Sequence, residues 1–305
     1  MRVLIVGCGY VGLPLGAELV KQGHEVFGLR RTNAAETKLS ARGIKPLMAD
    51  ITRRSELQQL PGPFDWVVNT VSSTKGGVEE YRQVYFEGTR NLIERLAPQR
   101  PQKFVYTSST SVYGQTDGSW VDERSATEPA SETGQVLVET ERLLLTVAQT
   151  QDFPAIILRV AGIYGPERGY WFRQYLKGEA TIQGRGERIL NMVHRDDLVG
   201  IIIAALKKAQ PGQIYNAVDD EPVAQIDFFR WLSAALGQPM PPFAAHTEDR
   251  TGKLEAHVGM SKRGVTNKRI SNSKLKRELG YAFKFPTFRE GLKAEMERSP
   301  NQDCP

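Results

Sequence analysis

Three glycines in RVLIVGCGYVGLPLGAEL have a spacing that bears on chemistry. Gly7, Gly9 and Gly12 follow an apolar, strand-like run and precede a helix-like one. In that setting the first glycine permits a tight turn and the second lets backbone approach a pyrophosphate. The third lets helix and strand pack closely, with the helix N-terminus turned to the phosphates. The plainer alternative is an ordinary glycine turn, which the strand-before, helix-after context disfavours. Tyr10 and Val11, inside the turn, count as cofactor-binding positions, as does Thr70 at the end of DWVVNT.

The second apolar run, HEVFGLRR, ends in Arg30 and Arg31, where an acidic residue would grip the 2′-hydroxyl of NAD. Two guanidiniums suit a 2′-phosphate, which favours NADP, with NAD as the alternative. The bland reading is that one or both point into water. Asp50, at the end of KPLMAD, suits the adenine amine of such a cofactor or, equally, a cap for ITRRSEL.

These residues need elements to position them. Through residue 165, short apolar runs (RVLIVG, EVFGL, KPLMAD, DWVVNT, KFVYTSS and AIILRVAG) alternate with helix-length amphipathic segments. This βαβ series demands a parallel sheet with helices on both faces, a doubly wound α/β fold of the Rossmann type. From about 166 the pattern breaks into loops (YGPERGYW, QGRGER). A helix through DDLVGIIIAALKKA and a strand QIYNAV follow, then helical and Pro-rich pieces. The expected division is a nucleotide-binding domain of residues 1–165 with about 194–220, and a small discontinuous substrate part of 166–193 and 221–297. Residues 298–305 form a tail, frayed at SPNQDCP.

Bulk properties exclude several classes. The 305 residues bury a substantial core without metals or disulfides, and the two cysteines, Cys8 and Cys304, supply neither a disulfide framework nor a metal site. A reducing cytoplasm is the expected setting. The chain enters a strand directly with no signal-peptide layout, and its longest aliphatic block, LVGIIIAAL, is too short to cross a bilayer, so no membrane partner is expected. The net charge of +5 comes from scattered Lys and Arg without interleaved aromatics, and the one basic cluster, SKRGVTNKR (261–269), reads as a solvated loop. A small-molecule substrate, not a nucleic acid, is the expected partner.

GCGYVGLPL looks like the nucleotide-sugar 6-dehydrogenases, but those need a longer chain and a nucleophilic cysteine midway. The other landmarks are FEGTRNLIE, KFVYTSSTSVYG, ILRVAGIYGP, NMVHRDDLVGII and ISNSKLKRELGYAFKFPTFREGL. Together they resemble extended short-chain dehydrogenases/reductases, the NAD-dependent epimerase/dehydratase family. The resemblance covers nearly the whole chain and implies hydride chemistry on sugar-like substrates, often in homodimers. It places Ser109, four residues before the tyrosine of VYG, on a substrate oxygen; the alternative is that Ser108, Ser109 and Thr110 close a strand end. Tyr113, Arg159 and His194 fall on motifs bordering the substrate.

The family then expects YxxxK, where the ammonium one helical turn on lowers the phenol's pKa. SETGQVLVETERLL opens the corresponding helix, but Thr133 stands at the tyrosine and Leu137 at the lysine. An aliphatic alcohol is too weak an acid for the task, and leucine has no charge. Two more departures accompany this one: Tyr85 replaces the asparagine before FEGT, and Leu190 replaces an arginine that contacts a substrate diphosphate. The combination resembles the atypical branch of the superfamily, with Val136, Leu137 and Val138 turned to packing in the core or at a dimer interface. Tyr85 is the foremost substitute proton donor, a packing tyrosine being its alternative. Two functions stay open: an NADP-linked reductase or epimerase-like enzyme, and an NADP(H)-binding sensor without turnover.

Overall fold

The structure is a computed structural model and describes residues 1–74, 76–244 and 266–298. Most of the SKRGVTNKR cluster (261–265) and the SPNQDCP tail lie outside the described residues.

Seven parallel strands form the central sheet: β1 (Arg2–Val6), β2 (Glu25–Arg30), β3 (Lys45–Met48), β4 (Trp66–Asn69), β5 (Lys103–Ser109), β7 (Ala155–Val160) and β11 (Ile214–Ala217). Their order is β11-β7-β5-β4-β1-β2-β3. The winding reverses between β1 and β4, so the turns leaving these two strands diverge and open a crevice at the sheet's carboxyl end.

The sheet is apolar on both faces because both are covered. In β1, Val3 and Ile5 join one core cluster, while Leu4 and Val6 join the other. On the first face lie α1 (Gly12–Lys21), α2 (Glu36–Ser40), α8 (Arg195–Lys208) and α10 (Ser273–Leu279), through Leu15, Leu39, Leu198 and Leu275. On the second lie α3 (Arg54–Gln58), α5 (Gly88–Leu96) and α6 (Glu132–Thr150), through Leu57, Leu92 and Leu144. Before α5, α4 (Val78–Tyr81) runs into a π-helical stretch, Arg82–Glu87. No helix among the described residues is long and apolar enough to cross a membrane.

Three two-stranded pairs stand apart from this sheet. β8 (Gly162–Tyr164) pairs with β10 (Met192–His194), β9 (Ile189–Leu190) with β12 (Val223–Ala224), and β6 (Trp120–Val121) with β13 (Arg269–Ile270). A third core cluster gathers α7 (Tyr170–Leu176), α9 (Gln225–Leu236) and α11 (Phe288–Arg298) through Tyr175, Phe228, Phe229 and Phe288. The helix α7 corrects the expectation of loop through YGPERGYW. Gly169, at φ 141, turns the chain into it, and Tyr175 anchors it. Arg298 ends α11 and so belongs to a helix, not to a tail.

Gly7 is closely hemmed in by backbone at the crevice. It sits at φ +78, and a Cβ there would lie 2.8 Å from the backbone of Val71. Gly23 has a similar φ of +80 with nothing within 4 Å. Gly7→Ala is therefore expected to lose more than the ~1–2 kcal/mol of left-handed backbone strain that Gly23→Ala loses, as read by urea denaturation of the two variants.

Candidate cofactor and active site

The crevice is built from the turn after β1. Backbone N–H groups of Gly7 and Cys8 both donate to the Leu29 carbonyl at 3.1 Å, tying the turn to β2. Thr70 braces it from β4's side: its hydroxyl donates to the carbonyls of Val6 and Gly7, each at 3.1 Å. A Cβ on Gly12 would meet Ile5 Cγ2 at 2.9 Å, so the third glycine does allow α1 to sit close on β1. At the start of α1, Leu13 donates its N–H to the Gly9 carbonyl at 2.9 Å and Pro14 has none, so Gly12 is the residue of the first turn whose N–H is left for a ligand. Around Gly9 the nearest side-chain atom to a would-be Cβ is Arg30 Nη1, at 3.4 Å. A cradle of bare backbone, closed by glycine and facing a helix N-terminus, fits the pyrophosphate of a dinucleotide. Cys8 lines the inside of this turn with a thiol that burial pushes up to about 12, which removes it as a nucleophile.

The neighbouring positions divide. Arg30 is half-buried, and its Nη1 donates to the Cys8 carbonyl at 3.0 Å, which holds the guanidinium beside Gly9. Arg31 is exposed. Asp50 accepts the N–H and hydroxyl of Thr52 on one oxygen, at 2.9 and 2.8 Å, an Asx-type turn that leads the chain toward α3.

Across the crevice, α6 opens as its sequence indicates, with the Ser131 hydroxyl capping the N–H of Gly134 at 3.2 Å. Thr133 is half-exposed in the first turn. Leu137 is 3 % exposed and, with Val138, Val112, Val121 and Ile270, forms a small apolar cluster. These apolar residues of α6 thus pack within the protein's own core. Ser109 accepts the N–H of Ser111 at 3.2 Å on its hydroxyl oxygen, closing the end of β5.

Tyr85 lies in the π-helical stretch, a local geometry that recurs at functional sites. Its ring packs against the cluster that contains Leu137 and lies 4.8 Å from the ring of Tyr81. Its oxygen accepts the N–H of Ser73, on the loop after β4, at 3.1 Å. Burial pushes this phenol up to about 12.

Three residues expected at the substrate have interior partners for their polar atoms. Tyr113 is fully buried, and its hydroxyl donates to Asn216 Oδ1 at 2.8 Å while accepting from Arg159 Nη1 at 2.9 Å. Arg159 is 4 % exposed and binds Glu141 through Nε and Nη2, the shortest contact being 2.7 Å. His194 is fully buried: its Nδ1 accepts the Asp196 N–H at 3.1 Å at the start of α8, and its Nε2 lies 3.1 Å from Glu295. Burial holds this imidazole below its ordinary pKa. In each case polar atoms are spent on the protein's interior, because a buried polar group without a partner is costly.

The centre of this interior network is Glu141 of α6, which carries none of the roles expected from the sequence. It is 2 % exposed and also accepts the Ser108 hydroxyl at 2.6 Å. Its signal in the sequence is a carboxylate on the apolar face of α6, in line with Thr133 and Leu137 at four-residue steps. Lys268 is a second buried charge that the sequence does not reveal. It is 5 % exposed, and its Nζ donates to the Tyr113 carbonyl at 2.7 Å.

A glycine cradle at the switch point of a seven-stranded doubly wound sheet, with a serine-bearing β5 and a helix across from it, defines the extended short-chain dehydrogenase/reductase architecture. The profile of the NAD dependent epimerase/dehydratase family matches residues 3–217, and the chain belongs to that family. Protein YeeZ of Escherichia coli is 27% identical over 290 residues, covering 93% of this chain and 96% of that one. A structure from Methylobacillus flagellatus described as an NAD-dependent epimerase/dehydratase is 30% identical, with TM-score 0.76, covering 98% of this chain and 99% of that one. The dTDP-glucose 4,6-dehydratase of Streptomyces venezuelae, solved with NAD bound, shares the fold at TM-score 0.80 and 20% identity, covering 99% of this chain and 98% of that one.

Removing Glu141 leaves a buried guanidinium without its counter-charge. Glu141→Ala is expected to lose about 3–5 kcal/mol in urea denaturation. The double change Glu141→Leu with Arg159→Met is expected to recover most of that loss, since a buried pair replaced by apolar groups is near neutral.

Proposed function

We propose that this protein is an NADP(H)-linked oxidoreductase that reduces a small carbonyl or sugar-like substrate, with Tyr85 as the proton donor in place of the absent tyrosine and lysine of α6. The position of Tyr85 carries the reading. Its phenol packs beside the cluster that contains Leu137, with its oxygen toward the loop after β4. Residues 1–165 with about 194–220 would hold the cofactor, and 166–193 with 221–297 the substrate. A homodimer and a cytoplasmic setting are part of the same proposal and rest on the resemblance and the composition.

In this reading Gly7 and Gly9 shape the turn, the backbone N–H groups of Tyr10, Val11 and Gly12 hold the pyrophosphate, and Thr70 keeps the turn rigid. Arg30, already beside Gly9, and the exposed Arg31 meet the 2′-phosphate. Asp50 keeps one carboxylate oxygen for the adenine amine, the other being taken by Thr52. When bound, the nicotinamide supplies a hydride to the carbonyl carbon. Ser109 hydrogen-bonds the carbonyl oxygen, and Tyr85 delivers the proton that oxygen needs as it becomes a hydroxyl; water then reprotonates the phenolate. Thr133, at the mouth of α6, contributes a hydroxyl for orientation and no proton.

Without a neighbouring ammonium, burial pushes the Tyr85 phenol up to about 12, so it is protonated at neutral pH and enters the reductive step as the acid. A binding-only sensor is the second reading, favoured by the buried leucine where the family has its lysine.

The two are separated by following NADPH oxidation against aldehydes, ketones and sugar derivatives. Turnover by the parent protein, cut about 100-fold or more in Tyr85→Phe with NADPH affinity unchanged, is the expected outcome. Tight NADPH binding with no turnover on any substrate selects the sensor. For cofactor choice, Arg30→Ala with Arg31→Ala is expected to weaken NADPH by about tenfold more than NADH in fluorescence titration. Equal losses would mean that these side chains do not meet a 2′-phosphate.

A further inference from the structure

Tyr10 joins the glycine turn to a distant part of the chain. Its hydroxyl donates to the Pro166 carbonyl at 3.0 Å, across 156 positions of sequence. Two guanidiniums lie over its ring, Arg168 at 5.0 Å and Arg195 at 5.3 Å from the centroid. The turn carrying Arg168 is closed on itself: the N–H of Gly165 donates to the Arg168 carbonyl and the N–H of Arg168 to the Gly165 carbonyl, both at 3.0 Å. It is also pressed against Tyr10. A Cβ on Gly165, which sits at φ +138, would lie 3.3 Å from the Tyr10 hydroxyl and 3.2 Å from His194 Nε2. Arg168 is therefore held at the rim of the cofactor cradle by a braced turn.

The two arginines differ in the donors they have left. Arg195 commits Nε and Nη2 to Asp196, at 3.0 and 2.8 Å. Arg168 is exposed, and among the described residues its side chain has no carboxylate partner. Stacking on an aromatic ring uses the face of a guanidinium and leaves its five N–H donors free in the plane. An unneutralised, positioned guanidinium beside a turn that itself faces phosphate is suited to a second, charge-assisted contact with the same anion.

We propose that Arg168 grips the pyrophosphate of the bound dinucleotide from the side opposite the glycine turn, with Tyr10 as the plate that positions it. This rests on the reading of the turn as a dinucleotide site. The cofactor is then clasped between the sheet's first turn and the Gly165–Arg168 turn, and both must be in place for full affinity.

The test is calorimetric titration of the full chain and of Arg168→Met with NADPH, 2′-phospho-ADP-ribose and 2′-AMP. Methionine keeps an apolar stem on the Tyr10 ring while removing the charge. NADPH and 2′-phospho-ADP-ribose are expected to weaken about tenfold. The affinity for 2′-AMP, which has no pyrophosphate, should not change. The salt dependence of NADPH binding should become shallower, and the melting temperature of the unliganded protein should stay the same. Equal NADPH affinity in the parent and the variant overturns the role of Arg168 while leaving the cofactor site intact. So does a matching loss for 2′-AMP, which would place the effect in the adenosine half. No binding of either NADPH or NADH to the parent protein removes the dinucleotide reading itself.

Discussion

The carboxylate of Glu141 is the contact on which the arrangement around the crevice depends. Four segments are joined there: α6 through Glu141, β5 through Ser108, β7 through Arg159 and, two hydrogen bonds beyond Arg159 by way of Tyr113, β11 through Asn216. A charged pair in such a dry place is not a source of net stability by itself, since desolvation offsets most of the attraction. What it supplies is position, because a buried carboxylate accepts little displacement before its partners are lost. The seat of α6 on the sheet is thereby set by a residue one helical turn beyond Leu137 and two beyond Thr133. A helix anchored in this way keeps its place whatever side chains occupy the two earlier positions. That is a physical account of how the reactive pair can be absent from an otherwise intact fold.

The same separation explains what the amino-acid sequence discloses. Gly7, Gly9 and Gly12 are legible because the constraint is local: three positions within six residues, bounded by a strand and a helix. The strands are legible because burial on both faces leaves continuous apolar runs such as RVLIV and AIILRV. Glu141 is not legible as an anchor, since its partners at 108 and 159 come close only after the sheet has formed. The partners of Tyr113, Arg159 and His194 are hidden for the same reason. Their types suit a substrate, and only packing reveals that their polar atoms face inward. The π-helical stretch around Tyr85 has no sequence signature, so the register of that tyrosine emerges from the backbone alone. The helix α7 is hidden by the glycine and proline that precede it.

Acid strength around the crevice is governed by burial more than by charge. Desolvation is the leading influence on Tyr10, Tyr85 and Tyr113, and each phenol is pushed up to about 12. Arginine neighbours temper this for Tyr10 and Tyr113, while Tyr85 has only the Ser73 N–H to favour its ionised form. Chemistry near neutral pH in such surroundings proceeds with protonated phenols, and any base must come from elsewhere.

The bond from Arg30 to the Cys8 carbonyl makes one side chain answerable for two properties. Under the proposed reading, the guanidinium that selects between coenzymes also splints the loop that binds them both. Exchanging it for an acidic residue to reverse the preference would loosen the splint at the same stroke, so coenzyme choice here is not a freely swappable module. A redesign would first have to restore a donor for that carbonyl from another quarter.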